Sequence, residues 1–341
     1  MTIIKKEYSF LSSNGIDTIH SLVCMLKNSR YRGYLQFLHD KYDHIDRYVD
    51  VMEFFAARGY VCFGHDYMGH GRSVRTGGKL GHFEGEYPEV RLVDDADRCY
   101  QMIKEEIPQT DDEIIDPSIS DPSGQEKSTV LHGLIGMGFG ATIAKLVVAK
   151  YVNANLVILC GDKGPNAFAR LEASYCKKQV KKEGKDALLP EMEKKFEGKY
   201  NKFVDDPVSG IEWRTRDSKQ IEKINQDKLC NFHYTAGAYH TMFEMEKMCA
   251  DSSWFKAFPK YLALYLIAGG YDPVSNYTRN LMPMISKLKQ NGVKNAFFKF
   301  YEESRHELFF ETDRHQVLHD VLKFCQIVEK QQLKHPANIK K

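Results

Sequence analysis

Two residues suited to acid–base chemistry stand directly after the last two apolar runs of the sequence. Asp272 follows the run 261–269, and His306 follows the run 295–301. A histidine can act as a general base near neutral pH, and a carboxylate beside it can fix the imidazole tautomer and stabilise the imidazolium. Taken singly, each residue is more often structural, since Asp-Pro is ordinary turn chemistry. Their matching positions after predicted strands favour a joint chemical role, which requires a nucleophile elsewhere in the chain.

A glycine-dense turn is the place where that nucleophile would stand. It lies between an apolar run at 129–135, which predicts a strand, and a helix-spaced apolar run at 141–148. A strand, a sharp turn and a helix in this order form the nucleophile elbow G-x-S-x-G of α/β-hydrolases, whose chain order is nucleophile, acid, histidine. Both outer glycines, Gly136 and Gly140, are present, but the serine position is occupied by Gly138. Glycine has no side chain and cannot form an acyl-enzyme.

The elements that must position these residues alternate along the chain. Short apolar runs at 33–39, 59–66 and 155–161 predict buried strands, and segments with helical spacing separate them. Alternation of this kind predicts an α/β-hydrolase fold, in which helices cover both faces of a mostly parallel central sheet.

One long segment breaks this alternation and predicts an inserted helical cap. From about 168 to 255 the chain is charged, helical in pattern and rich in aromatic residues. We therefore expect a first part of the core at 1–165, a cap or lid at 166–256, and a second part of the core at 257–341.

Bulk composition excludes several classes of protein. The 341 residues include 48 Lys and Arg against 46 Asp and Glu, a net charge of +2, which gives no support for nucleic-acid binding. Eight scattered cysteines without a C-x-x-C pair are typical of reduced core thiols. The sequence shows no signal peptide and no run near the ~18 apolar residues of a membrane span. We expect a cytoplasmic protein, with peripheral membrane contact left open.

With these motifs in place, the chain resembles the monoacylglycerol lipase and lysophospholipase branch of the α/β-hydrolases, especially its bacterial members. The matching segments run from near the N-terminus to the closing helix: 44–48 (HIDRY), 66–73 (DYMGHGRS), 136–140 (GMGFG), 211–217 (IEWRTRD), 269–274 (GGYDPV) and 305–307 (RHE). The resemblance implies hydrolysis of carboxylic esters of glycerolipids, no cofactor, no metal, and a small lipid-like ester or acyl ligand.

The departures from that branch lie at its active site. Besides Gly138, Met137 stands where the branch usually has histidine, and the oxyanion loop reads His39-Asp40 instead of His-Gly. These changes predict an impaired or non-catalytic hydrolase. The alternative is a non-catalytic pseudoenzyme that binds a lipid-like ligand or a partner.

The resemblance also implies which groups would hold the oxyanion. One backbone N–H would come from Phe139, directly after the nucleophile position, and the other from Lys41. The carboxylate of Asp40, next to Lys41, would oppose the negative charge that such a site must stabilise.

A second interpretation of the turn is a dinucleotide-binding loop. Gly136, Gly138 and Ala141 fit the pattern G-x-G-x-x-A, and Asp162 stands at about the expected distance of ~20 residues. That pattern usually occupies the first strand–helix turn of its domain, whereas here several elements precede it. The hydrolase motifs on either side make this the weaker interpretation.

Overall fold

The structure, a computed structural model, describes residues 2–108, 130–151 and 153–334. Its eight strands are β1 (Ile3–Leu11), β2 (Thr18–Leu26), β3 (Gly33–Leu38), β4 (Tyr60–His65), β5 (Leu131–Met137), β6 (Leu156–Cys160), β7 (Ala263–Gly269) and β8 (Ala296–Tyr301). They form one sheet in the order β1-β2-β4-β3-β5-β6-β7-β8. β2 runs antiparallel to β1 and β4, and every other neighbouring pair is parallel. The mostly parallel sheet that the alternation predicts is therefore confirmed.

Helices cover both faces of this sheet. They are α1 (Val49–Ala56), α2 (Pro88–Glu106), α3 (Phe139–Tyr151), α4 (Ala169–Glu183), α5 (Pro190–Glu197), α6 (Ser218–Gln226), α7 (Ala236–Ala250), α8 (Ser252–Ala257), α9 (Leu281–Gln290) and α10 (Arg314–Lys334). Because side chains alternate along a strand, Leu266 of β7 enters the core built with α2, α3 and α9. Its neighbour Ile267 enters the opposite core, built with α1 and α10.

The elbow is tighter than the sequence predicts. The predicted strand 129–135 begins outside the described residues and ends too early, because β5 continues to Met137. Gly136 still pairs with both β3 and β6, and Met137 pairs with Cys160, so the sheet holds both residues in strand geometry. Helix α3 begins at Phe139, which leaves Gly138 alone between strand and helix.

Helices α4 to α8 lie between β6 and β7 in the chain. Met192 of α5, Phe243 of α7 and Trp254 of α8 share one hydrophobic core with Phe139 at the start of α3. The inserted helices therefore pack against the elbow, while the division at 166 and 256 stays a prediction.

Two further properties concern the chain as a whole. All eight cysteines are buried as free thiols. Within the described ranges, no helix is both long enough and apolar enough to span a membrane.

Candidate active site

The candidate site lies where the carboxyl ends of four parallel strands meet. The loops after β3, β5, β7 and β8 carry Asp40, Gly138, Asp272 and His306 respectively. Carboxyl ends of parallel strands share one edge of the sheet, which is where open α/β sheets bind ligands. The fold thus brings together residues that the sequence separates by more than two hundred positions.

His306 and Asp272 are in direct contact at this edge. The Nδ1 atom of His306 lies 3.1 Å from Oδ1 of Asp272, and both side chains are buried. The same Asp272 oxygen accepts a hydrogen bond from the backbone N–H of Val274 at 2.9 Å, which fixes the carboxylate. The indole of Trp213 lies beside the imidazole, with ring centroids 5.2 Å apart. This geometry suits a carboxylate that orients and charges an imidazole.

Asp40 occupies the place that the sequence assigns to an oxyanion. Its Oδ1 accepts hydrogen bonds from the backbone N–H groups of Phe139 and Lys41, both at 2.7 Å. Its Oδ2 lies 3.0 Å from Nε2 of His306. The sequence places this carboxylate beside the two expected oxyanion donors, where it would repel a substrate oxyanion. In the structure it is bound to both donors and to the histidine.

Gly138 provides the space that this carboxylate fills. A Cβ atom built on Gly138 would lie 2.0 Å from Oδ1 of Asp40 and 2.3 Å from its Cγ, far inside contact distance. Gly138 also has a φ of +53°, which an L-residue adopts only with strain. A serine at 138 and the observed position of Asp40 are therefore mutually exclusive, so these two of the three departures from the hydrolase pattern form a matched pair.

The contact with two carboxylates determines the protonation state of His306. Burial by itself disfavours the imidazolium, but Asp272 and Asp40 outweigh it and raise the pKa of His306 to about 10. Burial likewise disfavours the Asp40 carboxylate. The charge of His306 and its hydrogen bond outweigh burial and lower the pKa of Asp40 to about 2. At neutral pH the imidazolium bridges two carboxylates. An imidazolium has no free nitrogen lone pair and cannot act as a general base.

The loop that carries Asp40 is held from the sheet side by His39. The Nδ1–H of His39 donates to the backbone carbonyl of Asp40 at 2.7 Å, and Nε2 accepts from the backbone N–H of Tyr67 at 3.3 Å. The His39 ring stacks on the Tyr67 ring at 3.9 Å. Burial lowers the pKa of His39 well below its usual range, so the ring is neutral, as this pattern of one donor and one acceptor requires.

The inserted helices hold the same loop from the other side. The Nζ of Lys41 forms a salt bridge of 2.8 Å with Glu197 of α5. The hydroxyl groups of Tyr42 and Tyr239 of α7 lie 3.0 Å apart, and the Tyr234 hydroxyl accepts from the backbone N–H of Tyr42 at 3.2 Å. Asp40 and His306 are each 1% exposed, so both groups are shielded from solvent.

A buried group of four charged side chains lies next to the site and brings together residues from three of the sequence motifs. Arg47 contacts Asp43 and Glu307, each at 2.9 Å, and Arg214 also pairs with Glu307. The backbone N–H of Glu307 further donates to the carbonyl oxygen of Arg214 at 2.7 Å. Because Glu307 follows His306 in the chain, this group fixes the histidine loop. Sequence reasoning matched these motifs but did not identify the charges as partners.

Two other side chains with nucleophilic groups, Ser304 and Cys160, do not replace the missing serine. The Ser304 hydroxyl donates to the carboxylate of Asp313 at 3.0 Å. Burial raises the pKa of the Cys160 thiol well above its usual range, which keeps it in the unreactive protonated form.

The acidic residue that a dinucleotide-binding loop would use to bind a ribose already has another partner. Asp162 is fully buried and forms a 2.7 Å salt bridge with Lys145 of α3, so it is not free to bind a ribose. The backbone N–H of Phe139, at the start of that helix, is bound to Asp40 rather than free for a phosphate. The pattern of Gly136, Gly138 and Ala141 is accounted for by the elbow.

The fold and the site define an α/β-hydrolase scaffold. The profile of the serine aminopeptidase S33 family matches residues 29–115 and 121–313. The chain belongs to this family of hydrolases. No curated protein matches the chain in sequence.

Solved structures show the same fold at low sequence identity. A thermostable carboxyl esterase from Bacillus coagulans in complex with glycerol is 21% identical, with a TM-score of 0.83, over 96% of this chain and 100% of that one. A lipase in its open form is 19% identical, with a TM-score of 0.81, over 96% and 99% of the two chains. A monoglyceride lipase from Saccharomyces cerevisiae in complex with a substrate analog is 13% identical, with a TM-score of 0.67, over 92% of both chains.

The Lys145–Asp162 pair gives a first prediction, on stability. We expect Lys145→Met to lower the free energy of unfolding by about 3–5 kcal/mol, because it leaves Asp162 buried and uncompensated. Lys150→Met on the same helix removes a partner of Asp94 whose side chain is 45% exposed, and it should cost less than about 1 kcal/mol. Denaturant unfolding measures both variants. Equal losses would contradict a structural role for the buried pair.

The bridge between the two carboxylates gives a second prediction, on pH dependence. The pKa of His306 is raised on folding, so its contribution to stability is complete below the unfolded value near 6.5 and is lost as pH rises towards about 10. In Asp40→Asn the amide can still accept from both backbone N–H groups and donate to a neutral His306. We therefore expect the free energy of unfolding to fall less steeply between pH 6.5 and 8.5 in this variant.

The experiment depends on the difference between the slopes of wild type and Asp40→Asn. The buried cysteine thiols add their own loss of stability at higher pH, and that loss is common to both. Parallel slopes for wild type and Asp40→Asn across this window would contradict a contribution of Asp40 to the charge of His306.

Proposed function

We propose that this chain is a catalytically silent member of its family that does not cleave esters at Gly138. The observation that carries the proposal is the position of Asp40, which binds both expected oxyanion donors and His306 at once. Removing one oxyanion donor alone costs a hydrolase about 10²–10³ in rate. In this chain Asp40 occupies both oxyanion donors and the base, and the nucleophile is absent.

For its ligand we propose a lipid-like ester or acyl compound held between the inserted helices and the sheet. The aromatic side chains near the site support this, because Phe232 and Tyr234 pack against the Tyr42 ring and Trp213 lies beside His306. The similar yeast monoglyceride lipase was solved with a substrate analog, which is consistent with a ligand of this class.

A third prediction follows from the mutual exclusion of Asp40 and a side chain at 138. We expect Gly138→Ser to be strongly destabilising in the presence of Asp40, since its Cβ would overlap the carboxylate. With Asp40→Gly the overlap disappears and the remaining cost should be the backbone strain, about 1–3 kcal/mol. Melting temperatures of the wild type, both single variants and the double variant measure this coupling.

The same four proteins test the proposed loss of hydrolysis. We expect no ester hydrolysis and no fluorophosphonate labelling for the wild type. The double variant should acquire a labelled serine at 138 that His306 can activate, and His306→Ala in that background serves as its control. Labelling or hydrolysis by the wild type would overturn the proposal. A folded double variant that stays inert would show that the departure involves more than these two positions.

A fourth prediction concerns the ligand. A non-hydrolysable monoacylglycerol ether should bind the wild type saturably, because binding needs the apolar surroundings but not the missing serine. Isothermal titration calorimetry measures this, with glycerol alone as the control. Absence of saturable heat from the ether would contradict the lipid-like ligand while leaving the loss of hydrolysis to its own test.

A further inference from the structure

Three residues with metal-binding side chains meet beside the charge group formed by Asp43, Arg47, Arg214 and Glu307. His44 precedes the first short helical turn after β3, while Asp227 and Cys230 follow helix α6 in the inserted segment. One ring nitrogen, one carboxylate oxygen and the thiol sulfur all lie within 4.8 Å of one another. The Nε2 of His44 is 2.8 Å from Oδ2 of Asp227.

We propose that His44, Asp227 and Cys230 form a zinc-binding site. Imidazole, thiolate and carboxylate are the ligands that Zn²⁺ takes in proteins, and a thiolate disfavours Mg²⁺ and Ca²⁺. Tetrahedral zinc with its usual bond lengths places ligand atoms about 3.3–3.6 Å apart. The observed atoms therefore need only small side-chain rotations to reach that geometry.

The charges around the three residues are compatible with a divalent cation. Asp43, Arg47 and Arg214 interact electrostatically with Cys230, and Glu307 pairs with both arginines. Two cations and two anions in that group sum to zero. A Cys230 thiolate and the Asp227 carboxylate then supply the two negative charges that balance Zn²⁺.

The His44 ring is incompletely satisfied as it stands. The side chain is buried, and within the described residues its Nδ1 has no hydrogen-bond partner. The Asp227 side chain is 31% exposed, which gives an ion access from solvent. Within the described residues the His44 ring therefore has one hydrogen-bond contact, from Nε2 to Asp227, and a metal ion bound through Nε2 would take the place of that contact.

A groove provides the fourth coordination position. Its volume is about 750 Å³, and its lining includes His44 and Asp227 together with Lys223 and Arg314. Three protein ligands with a fourth position open to solvent are typical of zinc sites that keep a bound water or anion. The two basic side chains would favour an anion at that position.

Such an ion would connect two parts of the chain that also enclose the active-site loop. His44 lies in the segment that begins at Asp40, and Asp227 and Cys230 belong to the segment of inserted helices. An ion that binds the folded chain and not the unfolded chain stabilises the fold by mass action. Zinc should therefore raise the melting temperature.

The test uses the full chain after treatment with a chelator. Calorimetric titration with Zn²⁺ should give one ion per chain, and Co²⁺ should give tetrahedral visible bands with a thiolate-to-metal band in the near ultraviolet. Cys230→Ser and Asp227→Asn should each weaken Zn²⁺ binding by more than about tenfold, since even residues behind a ligand contribute about 10- to 100-fold. Cys176→Ser, a buried cysteine of α4, is the matched control and should leave binding unchanged.

Several results would overturn the proposal. They are an absence of stoichiometric Zn²⁺ binding, a Co²⁺ spectrum without the thiolate band, or an affinity for Zn²⁺ that is unchanged in Asp227→Asn. If Cys230→Ser fails to fold, the part-exposed Asp227 variant and the Co²⁺ spectrum of the wild type decide the question. None of these outcomes depends on whether the chain hydrolyses esters.

Discussion

The contact between Asp40 and His306 is the interaction on which the rest of the site depends. One carboxylate oxygen accepts from two backbone N–H groups, and the other lies 3.0 Å from the imidazole. This arrangement engages both expected oxyanion donors and the imidazole, which a hydrolase of this fold would direct at a substrate. The two carboxylates also outweigh the cost of burying the imidazolium between them.

The surrounding structure is organised to keep that carboxylate in place. His39 holds the Asp40 carbonyl from the sheet side, and Lys41 and Tyr42 are tied to α5 and α7. Gly138 leaves the necessary space, because any side chain there would overlap the carboxylate. A change at one of these positions therefore affects the others, which explains why the departures at Gly138 and Asp40 occur together.

The sequence predicts the elements well because their periodicity is local. Strand β3 at Gly33–Leu38 and strand β8 at Ala296–Tyr301 lie within one residue of the predicted runs. The sequence also favours Asp272 and His306 over other acids and histidines as candidate site residues, because their positions directly after strands are visible in it. It cannot show where a side chain on a loop will point. The binding of Asp40 to His306, and the meeting of His44 with Cys230, depend on loop paths that only the folded chain fixes.

The protonation state of His306 at mildly alkaline pH tests this account most directly. Nitrogen-15 NMR of histidine-labelled protein, with His306→Gln to assign the signal, reports both ring nitrogens. We predict that both remain protonated at pH 8, because the pKa of His306 is raised to about 10. A neutral ring at pH 8, with one nitrogen free to accept a proton, would contradict the bridge between the two carboxylates and restore His306 as a general base.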